Sequence, residues 1–352
     1  MQFRYILLAF LLLFSISVDA VRPRMSVISS RKRDGYECRL IEFNTDRNER
    51  IRAYLLVPDS FSVKKLPAVV MLHDHGARFD IGKEKLVRPA GAPANVERSS
   101  AQWAMKYFDG RYFGDYLASK GYVVLAADAL YWGERSSEDA RRWSCLTFGD
   151  AEDIKLPSDS AKAEVKRLKD AVYQGQAAVY DSLAAQGTVW AEKILQDDIA
   201  SVKLLCSLPF VDRNRIGAFG FSMGAHRCWL LAAFSRRVKC GAAVSWMTLA
   251  EAYDSCNPSD LSMRIPSMRK SMDFPDIATM LRPKPMLFLS GDGDPLFPEG
   301  SVREAFSRMR AIYGIPADRD TRSPLETAFF SGGHSCGTDV QDAVADFFGR
   351  TL

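Results

Sequence analysis

The sequence predicts an α/β protein with a mostly parallel central sheet and helices on both faces. Short apolar runs alternate with longer helix-like segments, as expected when crossover helices join buried parallel strands. Several of these runs end in glycine-rich or polar loops, and α/β proteins place their sites at those strand ends. The chain has 352 residues, of which 47% are hydrophobic. This is enough for one large core, so we expect a single domain over residues 21–352.

Seven apolar runs predict the strands in chain order. They cover residues 51–57, 68–72, 122–127, 216–219, 240–246, 286–289 and 328–330. The run at residues 122–127, for example, is bounded by Gly121 and Asp128, which favours a buried parallel strand.

Helix-like segments lie between these runs. Residues 112–119, 191–207 and 225–234 predict connecting helices. From residue 160 to 208 the helix formers Ala, Leu, Lys, Glu and Gln dominate without a proline, which is more helix than one crossover needs. We therefore predict an inserted cap at residues 161–186. Three insertions over the site are expected, near residues 77–110, 136–186 and 247–282.

Residues 1–20 predict a secretory signal peptide. Arg4 precedes an apolar stretch over residues 5–14, and small residues follow at Ser15, Ser17 and Ala20. The stretch is too short for a permanent membrane span. We expect cleavage after Ala20 and a bacterial protein that is periplasmic or secreted, without membrane attachment after cleavage.

The charge and cysteine content exclude several classes of function. The formal net charge is only +4, and basic clusters such as residues 31–33 are brief and lack interleaved aromatics, so no nucleic-acid partner is expected. A mildly basic surface tolerates an acidic polymer. Seven cysteines occur without a Cys-x-x-Cys pair, which supports neither a zinc ribbon nor a thioredoxin-type redox site.

The most informative motif is Gly220-Phe221-Ser222-Met223-Gly224, which follows one predicted strand and precedes a predicted helix. Flanking glycines allow a turn tight enough to expose the serine hydroxyl as a nucleophile. A glycine-rich turn without catalytic function is the alternative. The motif therefore needs partner residues elsewhere in the chain.

Candidate partners of Ser222 follow the last two predicted strands. Ser222 needs a base and a group that orients the base. His334, in a glycine-rich loop, is the candidate base, and Asp294 is the candidate orienting acid. Asp292 remains the alternative acid, with turn formation as its other role. Asp294 is favoured because it lies farther past the strand end and precedes Pro295, which stiffens the turn.

Backbone donors for an oxyanion are expected from two loops. One is the N–H of Met223, directly after the serine, and the other lies near His75 and Gly76. His73 and His75 also have the spacing of a metal pair, but no third ligand lies in a nearby motif. No metal or organic cofactor is expected.

Two further side chains are candidates for substrate binding. Trp132 and Arg135 follow the predicted strand at residues 122–127, where an indole can stack on a sugar ring and a guanidinium can pair with a carboxylate. The alternatives are a packed aromatic and a surface pair between Glu134 and Arg135.

Together these motifs resemble the α/β-hydrolase superfamily, and within it the dienelactone-hydrolase-like and acetyl-xylan-esterase-like carbohydrate esterases. The chain order Ser, Asp, His is the order of α/β-hydrolase triads. The matching pieces are Leu72-His73-Asp74-His75-Gly76, residues 131–135, 215–224 and 291–298, and Gly333-His334. Dienelactone hydrolases proper use a cysteine nucleophile, so Ser222 argues for ester hydrolysis rather than for that lactonase activity.

The resemblance implies an α/β-hydrolase fold and an exported serine carboxylic-ester hydrolase. Its substrates would be methyl or acetyl esters on pectin or xylan fragments. One specific expectation is a pectin methylesterase of this fold. The partner would be a small-molecule or oligosaccharide ester, including acidic glycans. Two alternatives are an exported serine peptidase of the same fold and a catalytically silent glycan-binding module.

Overall fold

A computed structural model describes residues 23–59, 65–148, 159–256, 261–316 and 324–352. The predicted signal peptide at residues 1–20 lies outside these ranges. Nine strands of the described residues form one sheet, and their bounds are β1 Met25–Arg33, β2 Tyr36–Asn44, β3 Arg50–Pro58, β4 Leu66–Leu72, β5 Val123–Ala127, β6 Val211–Phe221, β7 Cys240–Val244, β8 Met286–Gly291 and β9 Leu325–Phe330.

Helices connect and cover these strands. Their bounds are α1 Ala94–Phe108, α2 Phe113–Ser119, α3 Glu138–Phe148, α4 Asp159–Ala185, α5 Trp190–Ser207, α6 Met223–Phe234, α7 Ala250–Cys256, α8 Pro266–Arg269, α9 Phe274–Ala278, α10 Glu299–Tyr313 and α11 Thr338–Thr351. Short 3-10 turns occur at Lys83–Lys85 and Gly133–Arg135.

The sheet order is β1-β2-β3-β5-β4-β6-β7-β8-β9. Pairing is parallel from β5 to β9 and antiparallel among β1, β2, β3 and β5. The predicted α/β class with a mostly parallel sheet is therefore confirmed. All seven predicted strands occur, and β1 and β2, which were not predicted, add an antiparallel edge.

The core lies on both faces of the sheet. In β4, Val70 and Leu72 face one apolar cluster, which includes residues of α5 and α6, whereas Val69 and Met71 face a second cluster with residues of α1, α2 and α11. Burial on both faces explains why the central strands read as continuous apolar runs rather than as alternating ones.

The loops after β4, β6, β8 and β9 lie at one edge of the sheet, because the carboxyl ends of parallel strands meet there. The three segments predicted as insertions each contribute side chains to a cavity at this edge, as described below. Their assignment as insertions in one domain stays a prediction. Within the described part of the chain, none of the helices combines the length and the apolar character that crossing a membrane requires.

Candidate active site

Ser222 lies in a strained turn between β6 and α6. Its φ of 55° and ψ of −126° put a non-glycine residue in a sparsely populated region of backbone space. A Cβ on Gly220 would lie 1.8 Å from the carbonyl oxygen of Gly224, and a Cβ on Gly224 would lie 1.8 Å from that of Leu72. Both glycines are thus required for α6 to approach β4 and β6 this closely.

A chain of hydrogen bonds joins Ser222, His334 and Asp294. The Nε2 of His334 lies 2.8 Å from the Oγ of Ser222, and its Nδ1 lies 2.7 Å from Oδ2 of Asp294. The Asp294 side chain is fully buried, and its Oδ1 accepts the N–H of Leu296 at 2.9 Å. In this geometry the carboxylate fixes the imidazole, which in turn can accept the serine proton.

Asp292, the alternative acid, has a different position. It is exposed, and its Oδ1 accepts the N–H of Gly332 at 2.9 Å. This bond ties the loop after β8 to the loop after β9, which carries His334. The structure therefore brings Asp294, and not Asp292, to the imidazole.

The residues predicted to donate to an oxyanion lie next to Ser222 in the chain or line the same cavity. Met223 is the first residue of α6, and the first N–H groups of a helix have no partner within it. His75 and Gly76 line the same cavity as Ser222. Gly76 has a φ of 53°, and a Cβ there would lie 2.1 Å from a ring carbon of Trp103, so this close packing requires glycine.

The two predicted substrate-binding side chains do not lie in that cavity. Trp132 is fully buried behind the loop of His75, whose carbonyl accepts its Nε1–H at 3.0 Å. Arg135 pairs with Asp197 at 2.8 Å and with Glu49 at 3.6 Å. The structure thus places neither side chain where the prediction put it: the indole packs in the interior, and the guanidinium pairs with carboxylates.

The cavity has a volume of about 350 Å³, and eight of the residues that line it are Phe, Trp or Tyr. Around Ser222 and His334 these are Phe79, Trp103, Tyr107, Trp143, Tyr173, Phe221, Trp246 and Phe297. They come from the loop after β4, from α1, α3, α4 and β6, and from the loops after β7 and β8. Such a cavity suits a ligand with apolar faces.

One face of α4 covers the cavity. Lys169, Val172, Tyr173 and Gln176 line it, and their spacing places them on one side of a helix. Lys169 is exposed and is the one Lys or Arg among the lining residues that the structure describes. The cap predicted at residues 161–186 includes these four positions, and their i, i+3, i+4, i+7 spacing is the sequence signal that marks them as lining residues.

His73, considered as half of a metal pair, has both ring nitrogens occupied. Its Nδ1 lies 2.9 Å from the carbonyl oxygen of Asp74, and its Nε2 accepts the N–H of Ala129 at 3.0 Å. Burial, followed by the charges of Arg227 and Lys85, lowers the pKa of His73 well below its usual value. A neutral imidazole with its proton on Nδ1 satisfies all these contacts. Among the described residues, no group of three His, Cys, Asp or Glu side chains could hold a metal ion.

Comparison with known proteins places this site in a family. The model of the dienelactone hydrolase family matches residues 109–318, more than half of the chain and a range that includes Ser222 and Asp294. A curated relative, "Putative hydrolase YtaP" of Bacillus subtilis (strain 168), is 26% identical over 303 residues, which are 85% of this chain and 81% of the relative.

Solved structures show the same fold. A "putative acetyl xylan esterase" from Bacteroides fragilis NCTC 9343 superposes with a TM-score of 0.63 at 16% identity, covering 94% of this chain and 75% of the other. A glucuronoyl esterase from Solibacter usitatus has a TM-score of 0.62 at 10% identity, with 95% and 88% covered. The family match, the fold and the arrangement around Ser222 agree, and the chain belongs to the dienelactone hydrolase family as an ester-cleaving hydrolase.

Proposed function

We propose that this protein is an exported serine esterase that removes methyl or acetyl esters from plant cell-wall polysaccharide fragments. The observation that carries the proposal is the hydrogen-bonded chain Ser222–His334–Asp294 at an aromatic cavity. A nucleophile, a base within 3 Å of it and a buried acid behind the base are the parts that acyl transfer requires.

In the proposed mechanism the Oγ of Ser222 attacks the ester carbonyl while Nε2 of His334 takes the serine proton. Asp294 holds the imidazole and stabilises the imidazolium that forms. The N–H groups of Met223 and Gly76 receive the developing oxyanion. His334 then gives its proton to the departing alcohol, and in the second half-reaction it activates the water that hydrolyses the acyl-enzyme.

Three features support a carbohydrate ester as the substrate. Flat aromatic side chains line the cavity, and such rings stack on the apolar faces of sugars. The structural neighbours include an acetyl xylan esterase and a glucuronoyl esterase by their descriptions. Residues 1–20 have the pattern of a signal peptide, which suits an enzyme whose polymeric substrate lies outside the cell.

The roles of the two substrate halves depend on the ester. With a uronate methyl ester, the sugar is the acyl group and methanol leaves. With an acetylated sugar, acetate is the acyl group and the sugar hydroxyl leaves. Lys169 at the cavity rim favours the first case, because a free uronate next to the ester carries a negative charge.

The test incubates the purified protein and a Ser222→Ala control with acetylated xylan and with methyl-esterified pectin, and measures released acetate and methanol. Release of either product by the active form alone supports the proposal and names the ester. Hydrolysis of a peptide anilide without either product supports the peptidase alternative instead. Glycan binding by both forms without any release supports the silent binding module.

A further inference from the structure

Buried side chains outside the cavity lining donate hydrogen bonds to the loop over residues 73–77. Its carbonyl oxygens accept hydrogen bonds one after another. The carbonyl of His73 accepts Nη1–H of Arg227 at 3.3 Å, and that of Asp74 accepts Nζ–H of Lys85 at 2.8 Å. The carbonyl of His75 accepts two donors, Nζ of Lys85 at 2.9 Å and Nε1 of Trp132 at 3.0 Å.

The contacts of the His75 carbonyl determine the direction of the next N–H. A trans peptide is planar, so the N–H of Gly76 points opposite to the carbonyl of His75. Both donors to that carbonyl, Lys85 and Trp132, are buried and lie outside the cavity lining, whereas His75 and Gly76 line the cavity together with Ser222. The N–H of Gly76 therefore points away from the buried donors Lys85 and Trp132, and the two residues of this peptide line the cavity of Ser222.

Lys85, which donates to the carbonyls of Asp74 and His75, is a lysine whose side chain is fully buried. Its ammonium group is fully buried, lies 3.4 Å from Oδ2 of Asp74 and sits 4.9 Å from the ring centre of Trp103. Burial lowers the pKa of Lys85, because the charged form loses its hydration. A buried charge is costly unless it is paired and hydrogen-bonded, and here it has one carboxylate and two carbonyls. Asp74 in turn accepts Nε1–H of Trp103 at 3.1 Å, which fixes the pair.

We propose that Lys85 and Trp132 are positioning residues for acyl transfer: by holding the carbonyl of His75 from behind, they aim the N–H of Gly76 at the oxyanion. This inference rests on the proposed function. In this role Trp132 does not contact the substrate. Its indole lies outside the cavity lining and acts through its hydrogen bond to the carbonyl of His75. An oxyanion donor works only when it is oriented before the reaction, because reorientation during the reaction costs free energy.

The test compares Trp132→Phe and Lys85→Met with matched controls. Trp190→Phe is the control for Trp132→Phe, because it also removes a buried indole N–H. The N–H of Trp190 has no hydrogen-bond partner within the described structure. Its ring lies beside that of Trp132, with the ring centres 6.1 Å apart. Lys83→Met removes an equally buried lysine, whose Nζ pairs with Asp128 at 2.8 Å rather than with the loop. Thermal melting of each variant separates loss of fold from loss of orientation.

Two readouts are compared for each variant. The first is kcat and KM for 4-nitrophenyl acetate. The second is the affinity for an aryl trifluoromethyl ketone, which adds to a nucleophilic serine to give a tetrahedral oxyanion, measured against the corresponding methyl ketone as a ground-state mimic. We expect Trp132→Phe to lower kcat about 10-fold and Lys85→Met about 100-fold, with KM within about 2-fold. Affinity for the trifluoromethyl ketone should fall by similar factors, and methyl ketone affinity should not.

The results separate this inference from the proposed function. If the native protein neither hydrolyses the ester nor binds the trifluoromethyl ketone, the serine esterase assignment itself fails. If the native protein does both and folded Trp132→Phe keeps its kcat and inhibitor affinity, the positioning role is overturned. It is also overturned if Trp190→Phe loses as much kcat as Trp132→Phe. Because Trp132→Phe keeps an aromatic ring in place, it decides the question even if Lys85→Met does not fold.

Discussion

The Nε2 of His334 lies 2.8 Å from the Oγ of Ser222, although 112 positions separate the two residues in the chain. The contact exists because β6 and β9 are strands of one parallel stretch of the sheet, so the loops that follow them meet at the same edge. The imidazole also packs against Phe221 and Phe297, with ring centres 4.9 and 6.0 Å away. The base is thus held in place by packing as well as by Asp294.

The acid of the proposed triad is tested by Asp294→Asn. An amide at this position no longer stabilises the imidazolium, and it favours the wrong tautomer of His334, so we expect kcat to fall about 10³- to 10⁴-fold. Steady-state kinetics with 4-nitrophenyl acetate measure this. Asp292→Asn is the matched control, because its side chain can still accept the N–H of Gly332, whereas Nδ1 of His334 bonds to Asp294. A larger loss in the control would assign the acid to Asp292.

The packing of the loop at Gly76 predicts the effect of Gly76→Ala. The new Cβ would lie 2.1 Å from Trp103, and the φ of 53° strains any side chain. We expect kcat/KM to fall at least about 10-fold as the loop shifts, together with a loss of unfolding free energy of about 1–3 kcal/mol.

Gly91→Ala is the control for the strain at Gly76. Gly91 has a φ of 78°, but a Cβ added there would meet no atom within 4 Å, so only backbone strain is introduced. Kinetics and urea unfolding of both variants measure the difference. Equal losses of kcat/KM in the two variants would contradict a specific role of the contact between Gly76 and Trp103.

The charge at the cavity rim predicts a substrate preference. Lys169→Gln should lower kcat/KM for an anionic aryl ester, such as a 4-nitrophenyl monosuccinate, about 3- to 10-fold, and should leave neutral 4-nitrophenyl acetate unchanged. The preference should also weaken in high salt, which screens exposed charges. Lys166→Gln removes an exposed charge of the same helix that does not line the cavity. The same loss in both variants would indicate a general effect of net charge.

The buried histidine on α6 predicts how stability depends on pH. Burial, reinforced by Arg227, lowers the pKa of His226 to about 3, and its ring packs against Trp229 and Trp246. Between about pH 3 and its unfolded value near 6.5, the unfolded chain binds the additional proton, so stability decreases as the pH falls through this window.

A variant without this titration should be less sensitive to acid. At pH 4 the contribution of His226 amounts to about 3 kcal/mol relative to pH 7. His226→Phe should therefore lose less unfolding free energy between pH 7 and pH 4 than the native protein does. Urea unfolding at the two pH values measures both differences. Identical pH dependence in the two proteins would contradict a neutral, buried His226.

Sequence patterns predicted the strands and the loops that carry Ser222, Asp294 and His334, because a buried strand ending in a glycine-rich loop is a local signal. They did not lead to β1 and β2. β1 is exposed along most of its length, so neither of its faces shows an apolar pattern. In β2 the buried residues alternate in part with polar ones, and this alternation is a sequence signal that predicts a strand. The buried residues are Tyr36, Cys38, Ile41 and Phe43.

The direction in which side chains of these loops point could not be predicted from the sequence. Trp132 and Arg135 follow the strand predicted at residues 122–127, as expected, but position along the chain does not say whether a side chain faces the cavity or the core. Trp132 faces the back of the loop at His75, and Lys85 joins it there from a segment that had no motif. Their contacts depend on how separate segments pack, which no local pattern contains.

The central claim is that Ser222 carries the acyl group during ester hydrolysis. Rapid acid quenching of the protein during turnover of 4-nitrophenyl acetate, followed by peptide mass mapping, tests it most directly. The account predicts one acetyl group on the peptide that contains Ser222 in the native protein, and no acetyl group there in Ser222→Ala. Turnover by the native protein with acetyl groups only on other residues, or undiminished turnover by Ser222→Ala, would contradict the account.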